Sequence, residues 1–442
     1  MKKSVKIALG AIATILCLMC LATATIVYLG VSVYQARRLF EEAARAMSRR
    51  DYEIAISKFR AALGKHLDKT YRPYALGDLA FCESSDGRCE AALRDYTEAL
   101  RVDPKLAWAY ENRGSLYTES AETDRALADF SNALQLDPNL YYSHFKRGLI
   151  EMDRKDIEGA LEDFAEAARI NPSAAAAYYN RGVAYSLKKD YERALANLDA
   201  AIQISPNYAA ALTERGYIYS ERLDLDKAVA DLSKAIRIEP RASAYRTRGF
   251  ALKDLKRWNE AISDFNKALQ LNANDTSALN GRAMTYSLMG EQDRALADFS
   301  TILEHWNVGN IYSSRGYAYA RKRNYERALA DFREGVKLMP QDDFTLNSLA
   351  WFLSTCPDAK FRNGNEAVAI AMKACTLSQW REANLVDTLA AAYAENGNFK
   401  EAVAYEIKAM SYDKLDQTRL DGMQKRRRLY EQGKPYRELK AE

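Results

Sequence analysis

The sequence predicts an all-α, right-handed superhelical solenoid of about eleven helix hairpins, preceded by one transmembrane helix. Three observations carry this expectation. A thirty-four-residue pattern recurs along most of the chain. Apolar residues fall at helical spacing in both halves of that pattern. A charge-free apolar run fills residues 7–36, longer than the roughly 20 residues that cross a bilayer.

The pattern is clearest in residues 107–140, with Tyr110, Asn112-Arg113-Gly114, Tyr117, Ala126, Phe130, Ala133 and Asp137-Pro138. One period on, the same columns hold Gly148, Ala160, Phe164, Ala167 and Pro172, then Gly182, Ala194, Ala201 and Pro206, then Gly216, Ala228, Ala235 and Pro240. The break over residues 119–123 lets a first helix turn back on a second. Pro138 stops that second helix, because proline lacks the backbone donor and clashes with the preceding turn. A single hairpin cannot bury its own apolar face, so neighbours must stack. At these residues the chain resembles the tetratricopeptide repeat (TPR) family. The resemblance implies a scaffold that binds extended peptides or partner domains, with first helices lining a concave face.

Hydrophobic residues at 48% and charged residues at 28% fit a folded chain rather than a disordered one. A net charge of +4 over 442 residues gives no clustered basic face, so nucleic acid is not expected as a partner.

In chain order, residues 1–6 form a basic flank with Lys2, Lys3 and Lys6, and residues 7–35 read as a transmembrane signal-anchor. The rival reading is a cleaved secretory signal ending at Ala22-Thr23-Ala24. Against it, Ile26 to Val31 extend the apolar run past that point. The basic start favours an exported, periplasmic repeat domain, although Arg37, Arg38, Arg45, Arg49 and Arg50 argue the other way. Residues 36–416 form the solenoid, and its second-helix alanines are Ala55, Ala92, Ala126, Ala160, Ala194, Ala228, Ala261, Ala295, Ala328, Ala367 and Ala402. Ala273 and Asn307 replace the terminal proline of the seventh and eighth units. The tenth carries a longer loop over residues 354–365. Its surroundings, and the closing residues 428–439, resemble the ending of many bacterial TPR proteins. Residues 417–442, with Lys425 to Arg428, read as a polar-faced capping helix and tail.

No catalytic constellation stands out. His66, His144 and His305 fall in unrelated columns, and the chain holds no phosphate-binding glycine loop, metalloprotease motif or nucleophile elbow. An enzyme, a metal, a cofactor and a small-molecule substrate are therefore not expected.

Two charged columns recur together. One is Arg113, Arg147, Arg181, Arg215, Arg248, Arg282 and Arg315; the other is Asp129, Asp163, Asp231, Asp264, Asp298 and Asp331, with Asn197 once in its place. A structural arginine–aspartate pair is favoured over an arginine stripe for an anionic ligand, because planar guanidinium suits a carboxylate. Cys82 and Cys89 flank a hairpin turn and are candidates for a disulfide. The resemblance places a partner groove on the first helices. Positions there that escape the packing columns are Trp108, Glu111, Tyr142, Phe145, Tyr179, Tyr217, Arg246, Phe250, Met284, Asn310 and Tyr317. The chain thus reads as a membrane-tethered scaffold for a protein partner. A mitochondrial-import-receptor-like or chaperone-docking protein is the alternative, but the lysines and asparagines of its carboxylate clamp are missing. A secreted soluble protein after signal cleavage is a further alternative.

Overall fold

The computed structural model describes residues 2–413 and 415–438, with side chains from Leu18 onward. The basic flank, the first part of the apolar run (7–17) and residues 439–442 lie outside the described side chains. Among the described residues every regular element is helical. The first three hairpins are α1 (Lys2–Ser48) with α2 (Tyr52–Leu63), α3 (Arg72–Ser85) with α4 (Cys89–Val102), and α5 (Ala107–Glu119) with α6 (Thr123–Leu136). Next come α7 (Tyr141–Asp153) with α8 (Ile157–Ile170), α9 (Ala175–Leu187) with α10 (Tyr191–Ile204), and α11 (Ala209–Glu221) with α12 (Leu225–Ile238). These lead to α13 (Ala242–Asp254) with α14 (Trp258–Leu271), α15 (Thr276–Leu288) with α16 (Gln292–His305), and α17 (Gly309–Arg321) with α18 (Tyr325–Leu338). The series closes on α19 (Asp343–Thr355) with α20 (Gly364–Leu377), α21 (Ala383–Glu395) with α22 (Phe399–Met410), and a last helix, α23 (Gln417–Glu431). The chain divides into two compact units, residues 1–211 and 212–442.

Ten of the eleven hairpins, all but the tenth with its longer loop, close by the same local chemistry. A residue after the first helix takes the left-handed conformation, as at Arg50, Ala121, Lys155, Lys189, Leu223, Lys256 and Arg323, with glycine at 87, 290 and 397. The next amide then bonds back to the first helix, Glu122 N to Tyr117 O at 2.8 Å and Asp190 N to Tyr185 O at 3.0 Å. This satisfies a carbonyl that the helix end would leave orphaned. The second helices stop just as regularly, including where proline is missing. Asn272 accepts from the Asn274 amide at 3.2 Å, as Asp137 accepts from Asn139 at 2.9 Å. The polar residue ahead of the proline position therefore turns the chain by itself.

The core repeats along each unit. All eleven second-helix alanines, from Ala55 to Ala402, are fully buried. A bulky residue four positions later, such as Phe130, Phe164, Leu198, Leu232, Phe265 or Phe332, is fully buried too. It lies under the glycine of the facing first helix: a Cβ at Gly216 would stand 2.7 Å from Leu232 Cγ, and one at Gly316 would stand 2.9 Å from Phe332 Cε1. Within each unit successive first helices also touch, α5 with α7 and α7 with α9, then α13 with α15 and α17 with α19. No contact of that extent joins successive second helices among the described residues. Within each unit, first helices therefore share one face.

At the N-terminus a single helix runs from the apolar stretch into the first hairpin. Ile26, Val27, Tyr28 and Tyr34 are exposed, whereas Ala36 and Ala43 are fully buried against α2 and α3. The part of α1 from Leu18 is long and apolar enough to cross a membrane.

The long loop of the tenth unit folds over the hairpin it interrupts. Phe361 packs on Tyr325 and Phe352, and the Asn363 amide bonds to Leu353 O at 3.0 Å.

Candidate functional site

The arginine and aspartate columns meet within six hairpins. Arg113 donates from Nε and Nη2 to Asp129 at 2.7 and 2.8 Å, and Arg147 donates likewise to Asp163 at 2.7 and 2.9 Å. Arg215 with Asp231, Arg248 with Asp264, Arg282 with Asp298 and Arg315 with Asp331 make the same two-pronged pair. A third prong reaches the second helix of the preceding hairpin. Arg113 Nη1 donates to Thr97 at 3.1 Å, Arg147 to Ser131 at 3.2 Å, Arg248 to Ser233 at 2.9 Å, Arg282 to Asn266 at 2.6 Å and Arg315 to Ser300 at 3.3 Å. Each of these five guanidinium groups thus ties three helices together. Asp163 shows the electrostatic result. Burial alone would raise its pKa, but hydrogen bonds from His144 and Arg147 outweigh that and hold it below the usual carboxylate range. His144 lies inside the lattice, with Nδ1 2.7 Å from Asp163 and Nε2 3.1 Å from the Pro138 carbonyl.

Arg181 departs from this rule. Its counterpart is Asn197, whose Nδ2 donates to the Arg193 carbonyl, and the buried Nε of Arg181 has no hydrogen-bond partner. The sequence presented Arg181 as one more member of a paired column; the structure leaves it unpaired because an amide stands where a carboxylate is needed.

Cys82 and Cys89 are free thiols, and no bridge joins them. Cys82 packs into the cluster of α1, α2 and α3, while Cys89 packs against Ala92 and Tyr96 in the next cluster. The two side chains serve different layers of core although their backbones flank one turn. Burial also pushes the Cys82 thiol up to about 12, so it stays protonated.

The first-helix residues divide into two groups. Trp108 fills the space beside Gly77, where a Cβ would stand 2.3 Å from its ring. Phe145 packs on Phe164, Phe250 on Phe265 and Tyr317 on Phe332, with ring centroids 6.0, 5.2 and 5.0 Å apart. Glu111 accepts from Ser143 at 2.7 Å, Arg246 pairs with Asp275 at 2.7 Å, and Tyr179 stands 5.1 Å from Tyr208. These side chains work inside and between repeats. Tyr142, Tyr217, Met284 and Asn310 are the exposed ones. Lys146 lies over the Tyr142 ring at 5.1 Å, which places a cation beside an exposed aromatic.

Family models for a tetratricopeptide repeat match residues 109–140, 148–188, 175–208, 209–241, 242–275 and 309–342. The chain belongs to the TPR family. A curated relative, the small glutamine-rich tetratricopeptide repeat-containing protein 2 of Mycosarcoma maydis, is 25% identical over 130 residues. That match covers 29% of this chain and 37% of the relative, so the chain spans little more than a third of that protein's length. Among solved structures, a tetratricopeptide repeat protein from Parabacteroides merdae is 24% identical with a TM-score of 0.42, covering 57% of this chain and 99% of its own. Yeast Tom70 is 17% identical with a TM-score of 0.44, covering 90% of this chain and 95% of its own. TPR arrays are scaffolds for protein–protein interaction, and the lattice above is how this TPR chain holds its array together.

One more site was hidden in the sequence. Arg426, read there as part of the basic stretch of a polar-faced capping helix, lies over the packed ring pair of Trp351 and Tyr436, 5.6 Å from each centroid. It donates to both carboxylate oxygens of Asp387 at 2.8 and 2.9 Å, beside a fully buried Glu406. The partners lie 10 to 75 positions away, on α19, α21, α22 and the tail, so no local pattern around Arg426 reveals them.

Proposed function

We propose that this TPR protein is a membrane-tethered scaffold that holds a protein partner along the face formed by its first helices. In this reading α1 is an uncleaved anchor, residues 36–416 are the binding array, and α23 with the tail caps its end. One observation carries the proposal. On the faces that adjoining first helices build within each unit, Tyr142, Tyr217 and Met284 remain exposed, while Phe145, Phe250 and Tyr317 are taken up in packing. Aromatic and flexible apolar side chains are the types that contribute most when a partner covers them. The exposed apolar stretch of α1 supports the tether, since a helix of that kind needs lipid or protein around it. The basic flank favours repeats on the far side of the membrane from the cytoplasm.

The test is the double substitution Tyr142→Ala with Met284→Ala. Phe145 is left alone because its removal would open a cavity against Phe164. The variant should melt within about 2 °C of the parent, since neither side chain is core. Affinity for the native partner should fall at least about tenfold, or roughly 1.4 kcal/mol. Unchanged affinity with unchanged melting would remove the first-helix face from consideration.

A further inference from the structure

Arg181 has lost both anchor points that fix its equivalents. In six other hairpins the same guanidinium takes a carboxylate from its own second helix. In the fifth hairpin that position is Asn197, and the amide is turned away to the Arg193 carbonyl at 2.8 Å. The preceding second helix offers Ala165 where other hairpins offer Thr97, Ser131, Ser233, Asn266 or Ser300. Arg181 nonetheless keeps the common pose. Its Cζ stands 5.8 Å from the Tyr185 ring, as Arg113 stands 5.8 Å from Tyr117 and Arg315 stands 5.8 Å from Tyr319. Nearby carboxylates are already engaged: Asp163 with Arg147, Glu166 with Arg169, and Asp190 with Arg193. The buried Nε is left without a partner, a condition with a full desolvation cost. The other repeats are an internal control, because they show what this guanidinium binds when a carboxylate is supplied.

We propose that Arg181 is a docking point for a carboxylate from a protein partner, an Asp or Glu side chain that takes the place Asp129 and Asp163 hold in adjoining hairpins. The planar fork accepts two oxygens at once, and partial burial strengthens such a pair. Tyr185 forms one wall, and the Cζ of Arg193, itself paired with Asp190, stands 4.7 Å from that ring. The site faces the second helices. It therefore shares with the first-helix reading only that the partner is a protein, and each can fail alone.

The test uses the full-length protein in detergent, labelled with ¹⁵N at arginine. The Arg181 Nε–H resonance is assigned with Arg181→Lys. One probe is acetyl-Gly-Asp-Gly-amide against its Asn counterpart; the other is sodium acetate against sodium chloride at equal ionic strength. The Asp peptide should shift the Arg181 signal saturably, with the Asn peptide and acetate at least tenfold weaker. Asn197→Asp should abolish the response and melt above the parent, because it supplies the missing carboxylate internally. Acetate acting as well as the Asp peptide would overturn the partner-side-chain assignment. A silent Arg181 signal, or Asn197→Asp melting no higher than the parent, would overturn the site itself.

Discussion

Arg248 and Arg181 occupy one column and differ in what they hold. Arg248 satisfies a nearly buried Asp264 and reaches Ser233 on the preceding hairpin. Its removal strands a carboxylate away from water, at a cost of about 3 kcal/mol. Arg181 satisfies no carboxylate, so its removal should cost under about 0.5 kcal/mol. Denaturant unfolding of Arg248→Ala and Arg181→Ala, side by side, measures the contrast. Equal losses would mean that the column stabilises by packing rather than by pairing. The paired column was legible in the sequence because both residue types recur at one spacing. Its third prong was not, since Thr97, Ser131, Ser233, Asn266 and Ser300 vary in type and only stacking brings them to the guanidinium. Asn197 was visible, but its consequence needed the direction of its amide. Which of the first-helix side chains are covered was not legible, for a related reason. Phe145, Phe250 and Tyr317 flank the small-residue column, and only the bulk beneath it decides whether such a ring is covered.

At the scale of an element, α23 shows how a polar helix is fastened to the last hairpin. Met423 and Tyr430 bury against α21 and α22, and Arg426 brings its charge to Asp387 and Glu406. Burial, with the Asp387 carboxylate beside it, pushes Glu406 up to about 10. The sign follows from proton uptake. Above the ordinary value of 4.5 the unfolded chain releases this proton, while the folded chain keeps it until about 10. The unfolded state then binds fewer protons, so stability falls as pH rises across that window. Glu406→Gln stays neutral and removes the penalty. It should melt at least about 2 °C above the parent at pH 9 and close to it at pH 5. A difference that does not grow with pH would place an ionised carboxylate at this position. The hairpin boundaries were legible from the break over residues 119–123 and the terminal prolines, whereas the left-handed turn residues such as Ala121 and Leu223 were not. Asn272 shows why losing the proline changed nothing: its side chain already turns the chain.

For the whole molecule, the informative feature is continuity at the N-terminus. α1 runs without a break from its exposed apolar stretch to Ala43 in the first core, so that stretch and the first hairpin share one continuous helix. Full-length protein should therefore stay in the membrane pellet on alkaline carbonate extraction. Release to the supernatant with a mature N-terminus near Thr25 would show a cleaved signal instead. The sequence made a helix long and apolar enough to cross a membrane legible through length and lack of charge alone, whereas the side of the membrane depends on flanking charges that oppose each other. The central claim is that a protein partner lies on the first-helix face. The most direct measurement places a photo-crosslinking amino acid at Tyr142 or Met284, and at the second-helix positions Asn132 or Lys267, in the full chain in its native membrane. The account predicts discrete crosslinked protein species from Tyr142 and Met284, lost on competition with unlabelled full-length protein, and none from Asn132 or Lys267. Crosslinks confined to the second-helix positions would contradict it.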